Sequence, residues 1–143
     1  MRSLDTNCAL RWLLGDVPEQ TRAVEQLLAS GERFRLADLA MVEAGFALTE
    51  HYGLARTTAA DLLLALVAHP GLVCDGALWS NALAAWRERP KLSLADTYLA
   101  ADARRRGGRL LTFDRKLAGQ VENAELVTGL ARSSPAPQAG GEE

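Results

Sequence analysis

The sequence predicts an α/β fold, a mainly parallel sheet with helices on both faces. Two observations carry that prediction: short apolar runs alternate with longer helical patterns, and each helical pattern begins or ends on a recognisable breaker or cap. Arg2 to Leu4 reads as a brief first strand, followed by a helix from Asn7 to Leu14 that Gly15 ends. Pro18 suits the first turn of a second helix, whose apolar stripe of Val24, Leu27 and Leu28 stops before Gly31. Phe34 and Leu36 alternate with Arg33 and Arg35, the period of a half-buried strand. A third helix spans Asp38 to His51 and closes at Gly53. Thr57 or Thr58 is expected to cap a fourth through Ala68, stopped by Pro70 and Gly71. Leu72 to Cys74 is a short buried strand, and Asp75 to Arg89 is a fifth helix that Pro90 closes. Ser93 starts a sixth, which runs to Arg106 and ends at Gly107-Gly108. Arg109 to Phe113 comes next as a strand, and Glu125 to Val127 adds an edge strand. The tail from Arg132, rich in Ser, Pro, Ala and Gly, is expected to be disordered.

With 143 residues, 48% of them apolar and 24% charged, the chain has the size and composition of one globular domain. A net charge of −2 is not that of a bulk nucleic-acid binder, so contact with nucleic acid would be local and assisted by cations. No stretch approaches the length of a membrane-spanning helix, and nothing directs the chain out of the cytoplasm. Cys8 and Cys74 lack CxxC companions, which argues against a zinc site or a disulfide framework; both read as small buried hydrophobes. His51 and His69 fall at helix ends and read as surface residues.

In parallel α/β folds ligands bind outside the carboxyl ends of the strands, and here an acid comes after every main strand: Asp5, Asp38, Asp75 and Asp114. Each could equally be an N-cap that accepts orphan backbone N–H groups. Glu43 differs, being the only charge in LAMVEAGFALT. Its neighbours Leu39, Val42, Phe46 and Ala47 suggest a face that points inward, where an unpaired carboxylate would cost several kcal/mol. A buried Arg or Lys, or a metal ion, would relieve that cost. Asp96 lies three residues after Ser93, an acidic capping box. It also shares a face with Leu99, Ala100 and Ala103, which is expected to look inward, whereas Asp102 points elsewhere. Thr112, two residues before Asp114, can donate to a carboxylate or a phosphate oxygen, and Asn7 stands in the same relation to Asp5 as an orienting partner.

LDTN at the start, the MVEAGFAL helix with its lone acid, LSLADTYLAADAR and LLTFDRKL occur in an order and spacing that resembles a PIN domain, most closely the VapC-like toxins of bacterial type II toxin–antitoxin systems. The resemblance runs to about Leu130, and implies a PIN-like nuclease domain over residues 1–131 and then the tail at 132–143. The implied fold is a PIN-like three-layer α/β/α arrangement around a mainly parallel central sheet of four to five short strands. Arg2 and Ser3 stand where such proteins carry apolar residues. The resemblance further implies an acidic quartet of Asp5, Glu43, Asp96 and Asp114 that binds one or two Mg²⁺ or Mn²⁺ ions, endoribonuclease activity, a homodimer, and a small VapB-like antitoxin that blocks the site.

Carboxylate-only ligands suit such hard cations, whereas zinc would recruit His or Cys. On this reading Asp5 and Asp96 are the main ligands, Asp114 completes or bridges the site, and Glu43 ligates or orients the attacking water. Arg104, Arg105, Arg106, Arg109, Arg115 and Lys116 crowd the approach to Asp114 and its exit. They are either helix-terminal cations on a solvated surface or an RNA-backbone cradle. Two other functions compete: a catalytically silent PIN-fold binding module, against which the intact acids argue, and an aspartate-nucleophile phosphatase. The latter wants DxD after the first strand, and position 7 is Asn.

Overall fold

The computed structural model describes residues 1–129; the tail from Arg132, expected to be disordered, lies outside them. β1 (Ser3–Leu4), β2 (Phe34–Leu36) and β3 (Leu72–Val73) form a parallel ladder with β2 in the middle, Leu4 facing Leu36 and Phe34 facing Leu72. That register delivers Asp5, Asp38 and Asp75 to one edge. β4 (Leu110–Thr112) and β5 (Ala124–Leu126) form a second parallel pair. The strands foreseen from the sequence are present and pair in parallel, but their hydrogen bonding falls into two ladders. Arg2, polar where an apolar residue is usual, pairs its guanidinium with Glu32 at 2.9 and 2.6 Å and lies over the Phe34 ring.

α1 (Thr6–Leu14) is capped by Asp5, and Gly15 closes it in the left-handed region at φ 64°. α2 (Pro18–Leu28) begins on its proline. α3 (Asp38–Phe46) continues into a π-helical turn over Ala47–His51. α4 (Arg56–Ala68) starts earlier than expected, with Ala55 and neither Thr57 nor Thr58 at the N-cap. The physical reason is Arg56. Its guanidinium donates to the carbonyls of Trp86, Pro90 and Leu92 and lies over the Trp86 ring, pinning the first turn. α5 (Gly76–Glu88) is capped by Asp75, and α6 (Leu94–Arg105) by the complete Ser93–Asp96 capping box. A short α7 (Arg115–Gln120), absent from the sequence expectations, comes directly after Asp114.

The main core joins Met41, Leu48, Leu63, Leu66, Trp79 and Leu83, all fully buried. α3 and α6 meet at Gly45, where an added Cβ would stand 2.5 Å from Leu94 Cδ2. A second, small core of Leu92, Leu117 and Ala124 lies under the β4–β5 pair. Polar ties attach this unit to the rest: the buried Asn123 side chain donates to the Ala100 carbonyl at 2.8 Å, and Arg89 Nε donates to the Gln120 carbonyl at 2.9 Å. Asp114 is therefore carried on a unit with little apolar burial of its own.

Candidate active site

Asp5 leaves β1 and caps α1, its Oδ1 accepting the Cys8 N–H at 2.9 Å. That backbone bond first, and the Cys8 thiol second, hold its carboxyl below the usual range. The stability it lends is present above about pH 4 and is lost only as pH falls through the lowered value. The Cys8 thiol is pushed up, chiefly by burial and then by Asp5. Both cysteines are only partly buried, a little less than expected.

Glu43 is not turned inward. It is exposed, and so are Leu39 at 67% and Phe46 at 60% on the same side of α3. The buried side uses Ala40, Met41, Ala44 and Gly45, with Gly45 where Leu94 of α6 comes close, and Leu39 and Phe46 fall on the opposite side. No buried cation is then needed. Glu43 Oε1 instead accepts the Thr6 hydroxyl at 2.5 Å, a partner that sequence reasoning missed although Thr6 stands within LDTN. Asn7 makes no side-chain hydrogen bond to Asp5 among the described residues. It lines a cleft of about 440 Å³ with Thr6, Val42, Glu43, Phe46 and His51.

Asp96 is half-exposed and Leu99 beside it is exposed; of the face expected to look inward Ala100 is buried, with Leu94 and Thr97. The capping box engages Asp96 at the helix start: Ser93 N–H donates to Asp96 Oδ2 at 3.2 Å and Asp96 N–H donates to Ser93 Oγ at 3.1 Å. A groove of about 330 Å³, lined by Val42, Phe46, Trp86, Ser93, Leu94 and Ala95, runs from the α3 face to the head of α6. Asp114 caps α7, its Oδ1 accepting the N–H groups of Lys116 and Leu117. Among the described residues Thr112 donates to no carboxylate; its hydroxyl oxygen accepts the Asp114 backbone N–H at 2.9 Å where the chain turns.

The structure thus joins Asp5 to Glu43 through Thr6, places Asp96 one residue beyond the groove-lining Ala95, and carries Asp114 on the second unit. Among the described residues no three His, Cys, Asp or Glu side chains form a group able to hold a metal ion. The donor set still fits one class of ion. In each of the four acids the backbone and hydroxyl hydrogen bonds fall on a single carboxylate oxygen. Mg²⁺ is ordinarily held by one or two carboxylates, its remaining positions filled by water and substrate phosphate.

The other acids at the sheet edge are engaged in structure. Asp38 accepts Trp79 Nε1–H and the Tyr98 hydroxyl, both at 2.9 Å, and tyrosine and tryptophan stack with centroids 5.0 Å apart. Asp75 caps α5 and pairs with Arg105, which also pairs with Asp102. Tyr98 is pushed up to about 12, first by burial and then by its bond to Asp38. Its contribution to stability is complete below the unfolded value near ~10 and is lost as pH rises through the folded one. Tyr98→Phe is therefore expected to flatten the decline of the urea midpoint over that alkaline range, measured by far-UV circular dichroism.

Four of the basic residues have acidic partners: Arg104 with Glu122, Arg105 with Asp75 and Asp102, Arg106 with Asp102, and Arg109 with Glu125. Arg115 and Lys116 have none among the described residues. His51 is exposed against Phe46; His69 is half-buried, its Nδ1 accepting the Gly71 N–H and its ring edge-on to Trp12.

A family model described as PIN domain matches residues 3–122, a span that contains Asp5, Glu43, Asp96 and Asp114. The chain belongs to the PIN domain family. Neither a curated protein nor a solved structure matches it. Its parallel strands and covering helices are the three-layer α/β/α arrangement of this nuclease-type fold. Among the described residues of this PIN domain, no helix is long and apolar enough to cross a membrane.

Proposed function

We propose that this PIN domain is a metal-dependent endoribonuclease that hydrolyses RNA phosphodiester bonds at Asp5, Glu43, Asp96 and Asp114, and that it is the VapC-like toxin of a toxin–antitoxin pair. The observation that carries the reading is that each of these acids, within a PIN domain, takes its backbone or hydroxyl hydrogen bonds on one carboxylate oxygen. Asp5 and Asp96 would hold Mg²⁺ or Mn²⁺, with Asp114 completing the set. Such an ion, when bound, lowers the pKa of water, grips the scissile phosphate and neutralises the charge on the leaving oxygen. Glu43, exposed and steadied by Thr6, is suited to orient the attacking water and accept its proton. The Cys8 N–H holds the Asp5 carboxyl below its usual range.

Cleavage of structured RNAs by the purified chain, with Mg²⁺, Mn²⁺ or EDTA and with Asp5→Asn, tests the reading. Cutting that persisted in EDTA and in the variant would overturn it. A catalytically silent PIN-fold binding module is the second reading, favoured by the lack of a gathered ligand group among the described residues. It predicts no cutting under any of these conditions. The positioning role of Thr6 has its own check: Thr6→Val should slow cleavage by roughly tenfold or more, as loss of an orienting partner does. Thr6→Ser should restore the rate, and neither change should move the melting temperature.

The remaining expectations rest on the same reading: a homodimer, a VapB-like antitoxin that covers the site, and a cytoplasmic place of action. A short neighbouring reading frame for a DNA-binding protein, and rescue of growth when the two are co-expressed, would support the pairing. Light scattering gives the oligomeric state.

A further inference from the structure

Phe113 is 76% exposed and Leu111, on the same side of β4, is 63% exposed, whereas other large side chains near them, such as Leu117, are buried. The position is unusual as well as exposed. Phe113 is the apex of the turn between β4 and Asp114, and the bond from the Asp114 N–H to Thr112 Oγ1, at 2.9 Å, closes the backbone across it. A ring held out on a fixed turn loses little freedom when it is covered. On its other side come Arg115 and Lys116, the two members of the basic cluster without an ion pair among the described residues.

An exposed aromatic face beside these two cations is complementary to a chain of unpaired bases on a phosphate backbone. Bases stack on aromatic side chains whatever their identity, while the cations track the phosphates. A base in a continuous duplex has no free face to offer. A second copy of the chain fits less well, since pairing about Phe113 would bring the Arg115 and Lys116 of each copy toward those of the other, and like charges across an interface are penalised.

We infer that Phe113 is the platform on which an unpaired base of the bound RNA stacks, with Arg115 and Lys116 on the phosphates beside it. This rests on the ribonuclease reading above and adds a binding residue to it.

The test is the affinity of an unpaired oligouridylate of roughly 12 nucleotides, within the site sizes of single-strand binders, and of a duplex of the same length, for the full chain carrying Asp96→Asn. Adding Phe113→Ala should weaken binding of the unpaired strand by about 5- to 150-fold while leaving duplex binding and the melting temperature unchanged. Phe113→Trp should restore the affinity, and its exposed indole should be quenched by the unpaired strand. Equal binding of the unpaired strand with and without Phe113→Ala would overturn the stacking role and leave the nuclease reading standing. A change of oligomeric mass on Phe113→Ala, with RNA affinity unaltered, would overturn it in favour of a subunit contact. Failure of the unsubstituted chain to bind or cut either RNA would overturn both readings.

Discussion

Replacing Trp79 with alanine is expected to lower the unfolding free energy by about 3–5 kcal/mol, the range for removing a buried Trp or Phe. Trp79 is fully buried, stacks on Tyr98 of α6, and donates through Nε1 to Asp38 at the head of α3. Its loss would open a cavity between α3, α5 and α6 and leave Asp38 with one donor. Trp79→Phe weights the two contributions differently. It keeps an aromatic ring but removes the N–H with part of the indole, so it should cost less than the alanine change, about 1–3 kcal/mol of it from a buried acceptor losing its partner. Urea denaturation of both variants checks the ratio. Equal losses would mean that the bond to Asp38 dominates over packing.

Asp96→Asn is expected to reduce RNA cleavage by at least about a hundredfold, since even an orienting partner of a metal ligand costs 10–100-fold. Its stability should fall by only about 1 kcal/mol or less, because asparagine can still accept the Ser93 N–H that Asp96 accepts. Ser93→Ala should do the opposite. It removes the hydroxyl that accepts the Asp96 N–H, costs about 0.5–2 kcal/mol as the loss of a cap, and leaves the carboxylate in place. Thermal melting and cleavage rates measured on the same two variants separate capping from chemistry at this position. If Ser93→Ala and Asp96→Asn lowered both quantities in parallel, Asp96 would be a cap and no more.

The alternation of strands and helices was legible because many elements carry their own punctuation: Pro18 opening α2, Gly15 after α1, and Ser93 with Asp96 at the head of α6. Asp5, Asp38 and Asp75 were legible together because the parallel strands β1 to β3 deliver the residues at their carboxyl ends to one edge, whereas Asp114 follows a strand of the second ladder. The faces of α3 and α6 were not. A helix that buries alanine and glycine and exposes leucine and phenylalanine reverses the pattern that periodicity reads, so Glu43 looked buried and is exposed. Contacts over long sequence separations were also silent. Nothing local to Arg56 announces that it binds the carbonyls of Trp86, Pro90 and Leu92, and nothing local to Asp38 announces Trp79 and Tyr98. The split of the basic cluster has the same origin. Arg104, Arg105 and Arg109 find acids brought near by folding, whereas Arg106 pairs one helical turn back with Asp102.

The most direct measurement is the initial rate of cleavage of one unstructured RNA as Mn²⁺ is titrated into the metal-stripped protein, for the unsubstituted chain and for Asp5→Asn. The four-carboxylate account predicts no cleavage without metal, a saturable rise in the unsubstituted chain, and a rise that is shifted to higher Mn²⁺ or lost in Asp5→Asn. Cleavage at full rate in the metal-free protein, or identical titrations for the two chains, would contradict it.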